Sequence, residues 1–467
     1  MHRRAAGNSQ DDGAASRVFR FLCWALILHI VGMAILFGVV GLPIPTVRAL
    51  AAWKELFAVS ALGFVTLRAA LGRGQGTTPV AADIPVIALA SLALLHVVAS
   101  VGGWGPPTSV ALVTYGLRDT VLCFALYAVG RATPGVARDG RVFRTLLLAG
   151  ALTSMVAVIE RIVVTPERLV LLGVASYFND FLGMGATTMS NAFGLPDNYW
   201  TYLGGRLVQR AGSVYLSSQG FAIPFLLIIP AATAWLMRGE RRPGGWALLG
   251  YALCWIGLLL SVTRMTMVAC VVEVSAMLLL LRRPAPVVAM GTGATVVLGA
   301  LILLVPGVGW YLWDTLAWQT SSSASHAKDF ASGITAIMTH PFGNGLATTD
   351  ATAIRMGLVP LSADNLFLKY GVELGIPALL AVASWLATLC WIGARGAMGS
   401  DDRHTRAVGA LLAAAALGVG LNGATAVVTN SLPLAYLFFW LAGSSVTVIT
   451  RGARDDMARE RHKMRHA

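Results

Sequence analysis

Apolar and polar stretches alternate along the whole chain, with long apolar runs separated by short polar segments. Runs of about 20 apolar residues have the length that an α-helix needs to cross a membrane. They are continuous rather than alternating residue by residue, which argues against a membrane β-barrel. The pattern predicts an all-α polytopic membrane protein with about 12 transmembrane helices. The predicted spans are 20–41, 50–70, 82–101, 109–130, 142–162, 213–237, 245–262, 265–281, 286–307, 371–393, 407–426 and 432–450.

The composition agrees with this class of protein. Of the 467 residues, 56% are hydrophobic and 12% are charged, whereas soluble domains carry about 25% charged residues. All five cysteines lie inside apolar runs and none forms a CxxC pair, so we interpret them as packing residues. The first apolar run is long and has no small-residue cleavage site after it, which favours a retained first span over a signal peptide.

The distribution of basic residues predicts the orientation in the membrane. If the N-terminus is cytoplasmic, 24 of the 35 Lys and Arg residues fall in cytoplasmic tails and loops, and the whole net charge of +13 arises on that side. This bias is the positive-inside rule, and it explains the basic character without a nucleic-acid partner. We expect a cytoplasmic tail at 1–19, one transmembrane domain at 20–450, and a basic cytoplasmic tail at 451–467 near membrane lipids.

Two long loops on the predicted outer side, at about 163–212 and 309–370, hold most of the candidate chemistry. Between them, Arg264 lies in the very short outer turn SVTRMT, with no acidic residue within eight positions. Its planar guanidinium suits bidentate contact with a phosphate, although an arginine can also reach the membrane interface by snorkelling. Arg210, at the mouth of the sixth predicted span, has the same two interpretations.

An amphipathic helix is predicted in the second loop. Phe330, Ile334, Ile337 and Met338 share one helical face, and Pro341 ends the helix.

The start of that helix is a candidate anion site. Ser325 is the predicted N-cap, which places His326 and Lys328 in the first turn. The helix dipole disfavours cations there unless an anion is bound; the alternative is a solvated surface turn. Farther along, Asp364 lies just outside the tenth predicted span. It is a candidate general base on a hydroxyl, a cap for the following helix, or both.

The order of these motifs resembles the O-antigen ligase and polymerase superfamily over residues 200–395. The motifs are the TR of SVTRMT, then a Ser-rich start and a helix, then HPFGNGL, and finally ADNLFLKYGVELGIP leading into a span. The resemblance implies that Arg264 and Arg210 hold a lipid diphosphate. His326 and Lys328 stand where the family usually carries another arginine. Asp364 and Asn365 stand where its ligases carry a His-Asn pair, which favours a polymerase.

Members of this superfamily are bacterial inner-membrane enzymes that transfer glycans from undecaprenyl diphosphate to an acceptor hydroxyl. The resemblance therefore implies an undecaprenyl-diphosphate-linked donor and a saccharide or lipid A–core acceptor, with transfer at the periplasmic face. We assign Asp364 and His326 to proton transfer, and Arg264, Arg210, Lys328 and Lys369 to diphosphate binding. No Asp-x-Asp metal site is present in the sequence, so we expect no metal or other cofactor requirement.

Two further classes of function remain open. A lipid-linked glycan flippase or another twelve-span transporter fits the number of spans, but two unequal outer loops and the lack of an internal repeat count against it. A membrane scaffold without catalysis is the third interpretation.

Overall fold

Helices make up most of the part of the chain that the computed structural model describes. That part comprises residues 2–72, 78–104, 109–185, 192–203, 206–238, 244–288, 313, 321–361 and 364–466.

The first half of the chain contains α1 (His2–Gly38), α2 (Ile44–Ala51), α3 (Trp53–Ala70), α4 (Asp83–Val101), α5 (Val110–Thr120), α6 (Leu122–Ala132), α7 (Gly135–Arg138), α8 (Gly140–Val163), α9 (Pro166–Leu171) and α10 (Val174–Ser176). A short antiparallel hairpin follows, formed by β1 (Trp200–Leu203) and β2 (Arg206–Gln209), with Trp200 opposite Gln209.

The second half contains α11 (Ser218–Ala222), α12 (Phe225–Arg238), α13 (Gly245–Leu260), α14 (Arg264–Leu280), α15 (Ser321–Thr339), α16 (Asp350–Arg355), α17 (Leu366–Leu374), α18 (Ile376–Gly399), α19 (Arg403–Gly423) and α20 (Leu432–His466).

The predicted class, an all-α polytopic membrane protein, is confirmed. Eight helical segments in the described ranges are long and apolar enough to cross a membrane, and a ninth span results if the bent pair α5 and α6 is taken as one. The seventh and eighth predicted spans coincide with α13 and α14. Most of the ninth predicted span, 286–307, lies outside the described residues. The total of twelve therefore remains a prediction.

The fourth predicted span is the broken one. Its two halves meet at an angle of 41°, between Thr120 and Leu122. Just before the break, Arg118 Nε lies 2.7 Å from Asp119 Oδ1. The hydroxyl of Thr352, in the second loop, donates a hydrogen bond to the other oxygen of Asp119. The hydrogen bond from Thr352 to Asp119 thus connects the charged pair at the end of α5 to the second loop, which holds the candidate chemistry.

The tenth predicted span, 371–393, was placed too early. α17 ends at Leu374, and α18 begins at Ile376. Gly375 separates the two helices with φ of +88°, a conformation that glycine adopts without a steric penalty. Pro377 then occupies the first turn of α18, where its missing N–H costs nothing.

The HPFGNGL segment crosses the junction between α17 and α18, and the two are in contact through their main chains. Asn344 N donates to Val372 O at 2.7 Å, and Ile376 N donates to Pro341 O at 2.8 Å. A Cβ on Gly343 would lie 2.5 Å from the carbonyl oxygen of Glu373, so no side chain fits there. Its φ of +101° likewise favours glycine. This crossing fixes the second loop to the membrane helices.

Candidate active site

Arg210 contacts the turn between α13 and α14, directly before Arg264. Arg210 Nε donates to the carbonyl oxygen of Ser261 at 2.9 Å, and Arg210 Nη2 donates to Thr263 Oγ1 at 2.8 Å. Arg264 is the next residue and opens α14, where its side chain is half-buried. The structure therefore brings together the two residues that the sequence assigns to a lipid diphosphate, although 53 residues separate Arg210 from Thr263.

The backbone around Arg210 is fixed on both sides. Arg210 N donates to Tyr199 O at 2.7 Å, immediately beyond the β1–β2 hairpin. Ala211 N donates to Leu260 O at 3.1 Å, at the end of α13. These two bonds attach the backbone at Arg210 to Tyr199 and to the end of α13.

The start of α14 adds a favourable field for an anion. Its N-cap residue, Thr263, makes no side-chain capping bond, so the first N–H groups of a 17-residue helix are not satisfied by that side chain. The helix dipole places partial positive charge at this end. Val262, in the same turn, has φ of +48°, which is strained for a β-branched residue and is typical of functional sites.

Asp364 and His326 also lie near each other. Asp364 is half-buried, and burial raises the pKa of its carboxyl group. The charge of His326 opposes that rise, whereas the charges of Asp329 and Asp350 add to it. The two residues assigned to proton transfer are thus close enough to interact electrically.

The expectation for the start of the loop helix was wrong. α15 already includes Ser321, so the helix does not start after Ser325. Ser321, Ser322 and Ser323 can be part of the helix because none of them is a glycine or a proline, the residues that disfavour a helix most. His326 and Lys328 therefore lie beyond the first turn. Lys328 is exposed and His326 is half-buried. The predicted anion site at a first turn formed by these residues loses its basis.

Asn365, rather than Asp364, caps the following helix. Its Oδ1 accepts the N–H of Leu368 at 2.9 Å, the geometry of an N-cap. Asp364 stands one residue earlier with φ of +54°. Its carboxyl group is therefore not used as the cap, which leaves the role of a base as the remaining prediction for it.

Lys369 is buried and has a carboxylate partner. Its ammonium nitrogen lies 2.7 Å from Asp350 Oδ2, and its side chain is 2% exposed. Burial lowers the pKa of Lys369, but the charges of Asp350, Glu373 and Asp119 together more than compensate, and the net effect is a raised pKa. Because its charge is already neutralised, we leave Lys369 out of the anion-binding set proposed below.

Glu373 completes this buried polar group. Its oxygens accept hydrogen bonds from Thr349 Oγ1 at 2.5 Å and from Thr120 Oγ1 at 3.2 Å. Burial raises the pKa of this carboxyl group to about 7, although the charge of Lys369 opposes the rise. Together with Asp350, Glu373 was not among the predicted site residues. The spacing of Lys369 and Glu373, four positions apart on one helix, was the available signal for such a group.

The end of α19 connects the arginine pair with Asp364. Thr266, two residues after Arg264, donates from Oγ1 to Asn422 Oδ1 at 2.9 Å. Asn365, next to Asp364, donates from Nδ2 to the carbonyl oxygen of Ala424 at 2.8 Å. Three residues at the end of one helix, 422–424, therefore separate the cationic turn from the carboxyl group.

Within the described residues, no group of three or more His, Cys, Asp or Glu side chains has the arrangement of a metal site.

Residues 249–383 match the family model described as O-Antigen ligase. The matched range runs from α13 into α18, so it includes Arg264 and Asp364 but not Arg210. The match confirms the resemblance to the O-antigen ligase and polymerase superfamily. That family implies ligation or polymerisation of an O-antigen glycan, a glycosyltransferase-type activity within a membrane. No curated protein matches the chain.

Proposed function

We propose that this protein transfers a glycan from undecaprenyl diphosphate to the hydroxyl group of an acceptor, at the periplasmic face of a bacterial inner membrane. The observation that carries the proposal is the placement of Arg210 against Ser261 and Thr263, directly beside Arg264. Polymerisation of repeat units is favoured over ligation to lipid A–core, because Asp364 replaces the histidine that ligases carry.

The orientation in this proposal follows from the basic residues. Placing both termini in the cytoplasm puts the turn 261–263 and both long loops on the periplasmic side, where lipid-linked glycans are assembled into polymers. The basic tail from Arg451 then faces the anionic cytoplasmic leaflet.

The arginine pair would act on the leaving group. As the bond between the anomeric carbon and the phosphate oxygen breaks, negative charge builds on the departing diphosphate. The guanidinium groups of Arg210 and Arg264, with the start of α14, would stabilise that charge. Arginine suits this task because its planar fork can contact two phosphate oxygens at once.

Asp364 would act on the acceptor. Its carboxylate takes the proton of the attacking hydroxyl while the hydroxyl oxygen bonds to the anomeric carbon, and undecaprenyl diphosphate leaves on the opposite side with inversion. Burial raises the pKa of Asp364, which brings its basicity closer to the operating pH, where general bases are most effective. His326, whose charge acts on Asp364, is the second candidate for handling this proton.

The test is a glycan profile of a strain that lacks this gene and expresses wild type, Arg264→Ala or Arg264→Lys. Electrophoresis and mass analysis would give the chain length and the group to which the glycan is attached. Both variants should lose most of the long chains, because lysine keeps the charge but not the fork. Arg161→Lys is the matched control, since Arg161 is exposed near the end of α8 and should tolerate the change.

The products separate the alternatives. Single repeat units that are exported or attached to an acceptor, without long chains, would indicate a polymerase. Long chains that remain on undecaprenyl diphosphate would indicate a ligase. Repeat units that accumulate on the cytoplasmic face, or a wild-type profile with Arg264→Ala, would contradict the proposal.

A further inference from the structure

Glu160 is a buried carboxyl group beside the Arg210 loop. It lies near the end of α8 and is 6% exposed. One of its oxygens accepts the backbone N–H of Gly212 at 3.2 Å, and the other accepts that of Ser213 at 2.5 Å. A buried carboxyl group is costly unless its oxygens are hydrogen-bonded, so these two bonds fix the loop and the helix to each other.

Ser213 is attached to α8 a second time. Its hydroxyl donates to the carbonyl oxygen of Thr153 at 2.7 Å, two turns before Glu160 on the same helix. Ser213 also has φ of +51°, a conformation that a residue other than glycine keeps only when its surroundings hold it. The bonds to Glu160 and Thr153 are the contacts that hold it.

The space around Gly212 shows how little the loop can move. A Cβ at this position would lie 2.8 Å from Ser217 N and 3.1 Å from the hydroxyl of Tyr199. Tyr199 also accepts the backbone N–H of Arg210 through its carbonyl oxygen. Residues 210–213 are therefore held between Tyr199 on one side and Glu160 on the other.

We propose that Glu160 is a positioning residue for Arg210 in the reaction proposed above, and the inference rests on that function. Glu160 does not need to touch the donor. It accepts two backbone N–H groups that follow Arg210 by two and three residues, and so keeps the guanidinium at Ser261 and Thr263 while the diphosphate binds. Without the carboxylate, two buried N–H groups lose their acceptor and the loop must move to satisfy them.

A double-mutant cycle tests this role. The kcat/KM of the purified full-length protein is measured on repeat units linked to undecaprenyl diphosphate, for wild type, Glu160→Gln, Arg210→Ala and the double variant. Glutamine accepts only one of the two N–H groups, so the single change should lower kcat/KM by roughly 10- to 100-fold through misplacement of Arg210. In the Arg210→Ala background the same change should cost less than about 2-fold, because the residue that it positions is gone.

A general structural role would give a different result. If Glu160→Gln lowers kcat/KM equally in both backgrounds, or leaves it unchanged in both, the positioning role is wrong while the proposed function stands. Wild-type kcat/KM in Arg210→Ala would reject the diphosphate role of Arg210, and the inference with it. Glu167→Gln is the control. Glu167 is an exposed acid in the first long loop, the loop that also contains Arg210, and its substitution should leave full activity.

A second variant covers the case in which Glu160→Gln does not fold. Ser213→Ala removes only the hydroxyl bond to Thr153 and leaves both N–H groups on Glu160. It should show the same non-additivity with Arg210→Ala at a smaller fold-change. Equal losses in the two backgrounds would again overturn the proposal.

Discussion

Asn365 donates a hydrogen bond of 2.8 Å from its side-chain amide to the carbonyl oxygen of Ala424. The same side chain accepts the N–H of Leu368 through its other polar atom. One residue thus starts α17 and attaches it to the end of α19, and its immediate neighbour is Asp364. The orientation of the candidate base is therefore set by the contact between two helix ends.

Substitution of Asn365 separates these two roles. Asn365→Ser keeps an acceptor for Leu368 N but removes the donor to Ala424, so it should retain most of the stability and lose activity. Asn365→Ala should lose activity as well and, in addition, about 1 kcal/mol of stability, the usual cost of a missing N-cap. Thermal unfolding in detergent and polymer formation in cells would measure the two effects. Full activity of Asn365→Ser would show that the contact with Ala424 does not position Asp364.

Lys369 and Asp350 should behave as a structural ion pair. Lys369→Met leaves a buried carboxylate without its partner, which should cost about 3–5 kcal/mol. Lys369→Met combined with Asp350→Leu removes both charges and should recover much of the apparent melting temperature. If the double variant is stable but inactive, the loss would support the original assignment of Lys369 to the diphosphate. If it regains activity, that assignment is wrong.

The raised pKa of Glu373 predicts a pH dependence of stability. In the unfolded chain this group titrates near 4.5, whereas in the folded protein it titrates near 7. Between these values the folded state holds a proton that the unfolded state has released. The contribution to the free energy of unfolding is therefore greatest below pH 4.5 and is lost as the pH rises towards 7. Glu373→Gln should flatten this part of the curve. An unchanged slope would show that Glu373 ionises normally.

Gly418 on α19 should be intolerant of any side chain. A Cβ at this position would overlap the carboxyl group of Glu273 on α14, which is fully buried. Gly418→Ala should lower stability by about 1–3 kcal/mol, the usual cost of overpacking. Glu273→Ala in the same chain should restore much of the loss by opening space. If the loss of stability in the double variant equals the sum of the losses in the two single variants, this account of the contact between α14 and α19 is wrong.

The membrane helices were predictable because their signal is local. A continuous apolar run and its flanking charges suffice to predict a span, and the polar turn that holds Arg264 is short enough to be bounded by two such runs. The break at Gly375 was missed, because Lys369 and Glu373 lie in a helix of their own, outside the span that follows. Hydropathy alone does not separate a short buried helix from the start of a membrane helix.

The contacts of the site were not predictable in the same way. Arg210 reaches Thr263 only because α12 and α13 return the chain to the same end of the bundle, and no pattern in the sequence gives that distance. Asp350 in α16 and Lys369 in α17 likewise come together only when the loop between these two helices folds back, and no sequence pattern gives their distance. The choice between Asp364 and Asn365 as a cap was decided by backbone conformation, since both side chains can accept the required N–H. Ser325 failed as a predicted helix start because the serines before it are equally able to be helical.

The crossing of HPFGNGL over the α17–α18 junction indicates a structural role for this motif. Gly343 and Gly375 are needed where two pieces of main chain touch, and neither brings a functional group to a substrate. A protein that shares PFGNG and ELGIP with this one should therefore share the way its outer loop is attached, whichever sugar it handles.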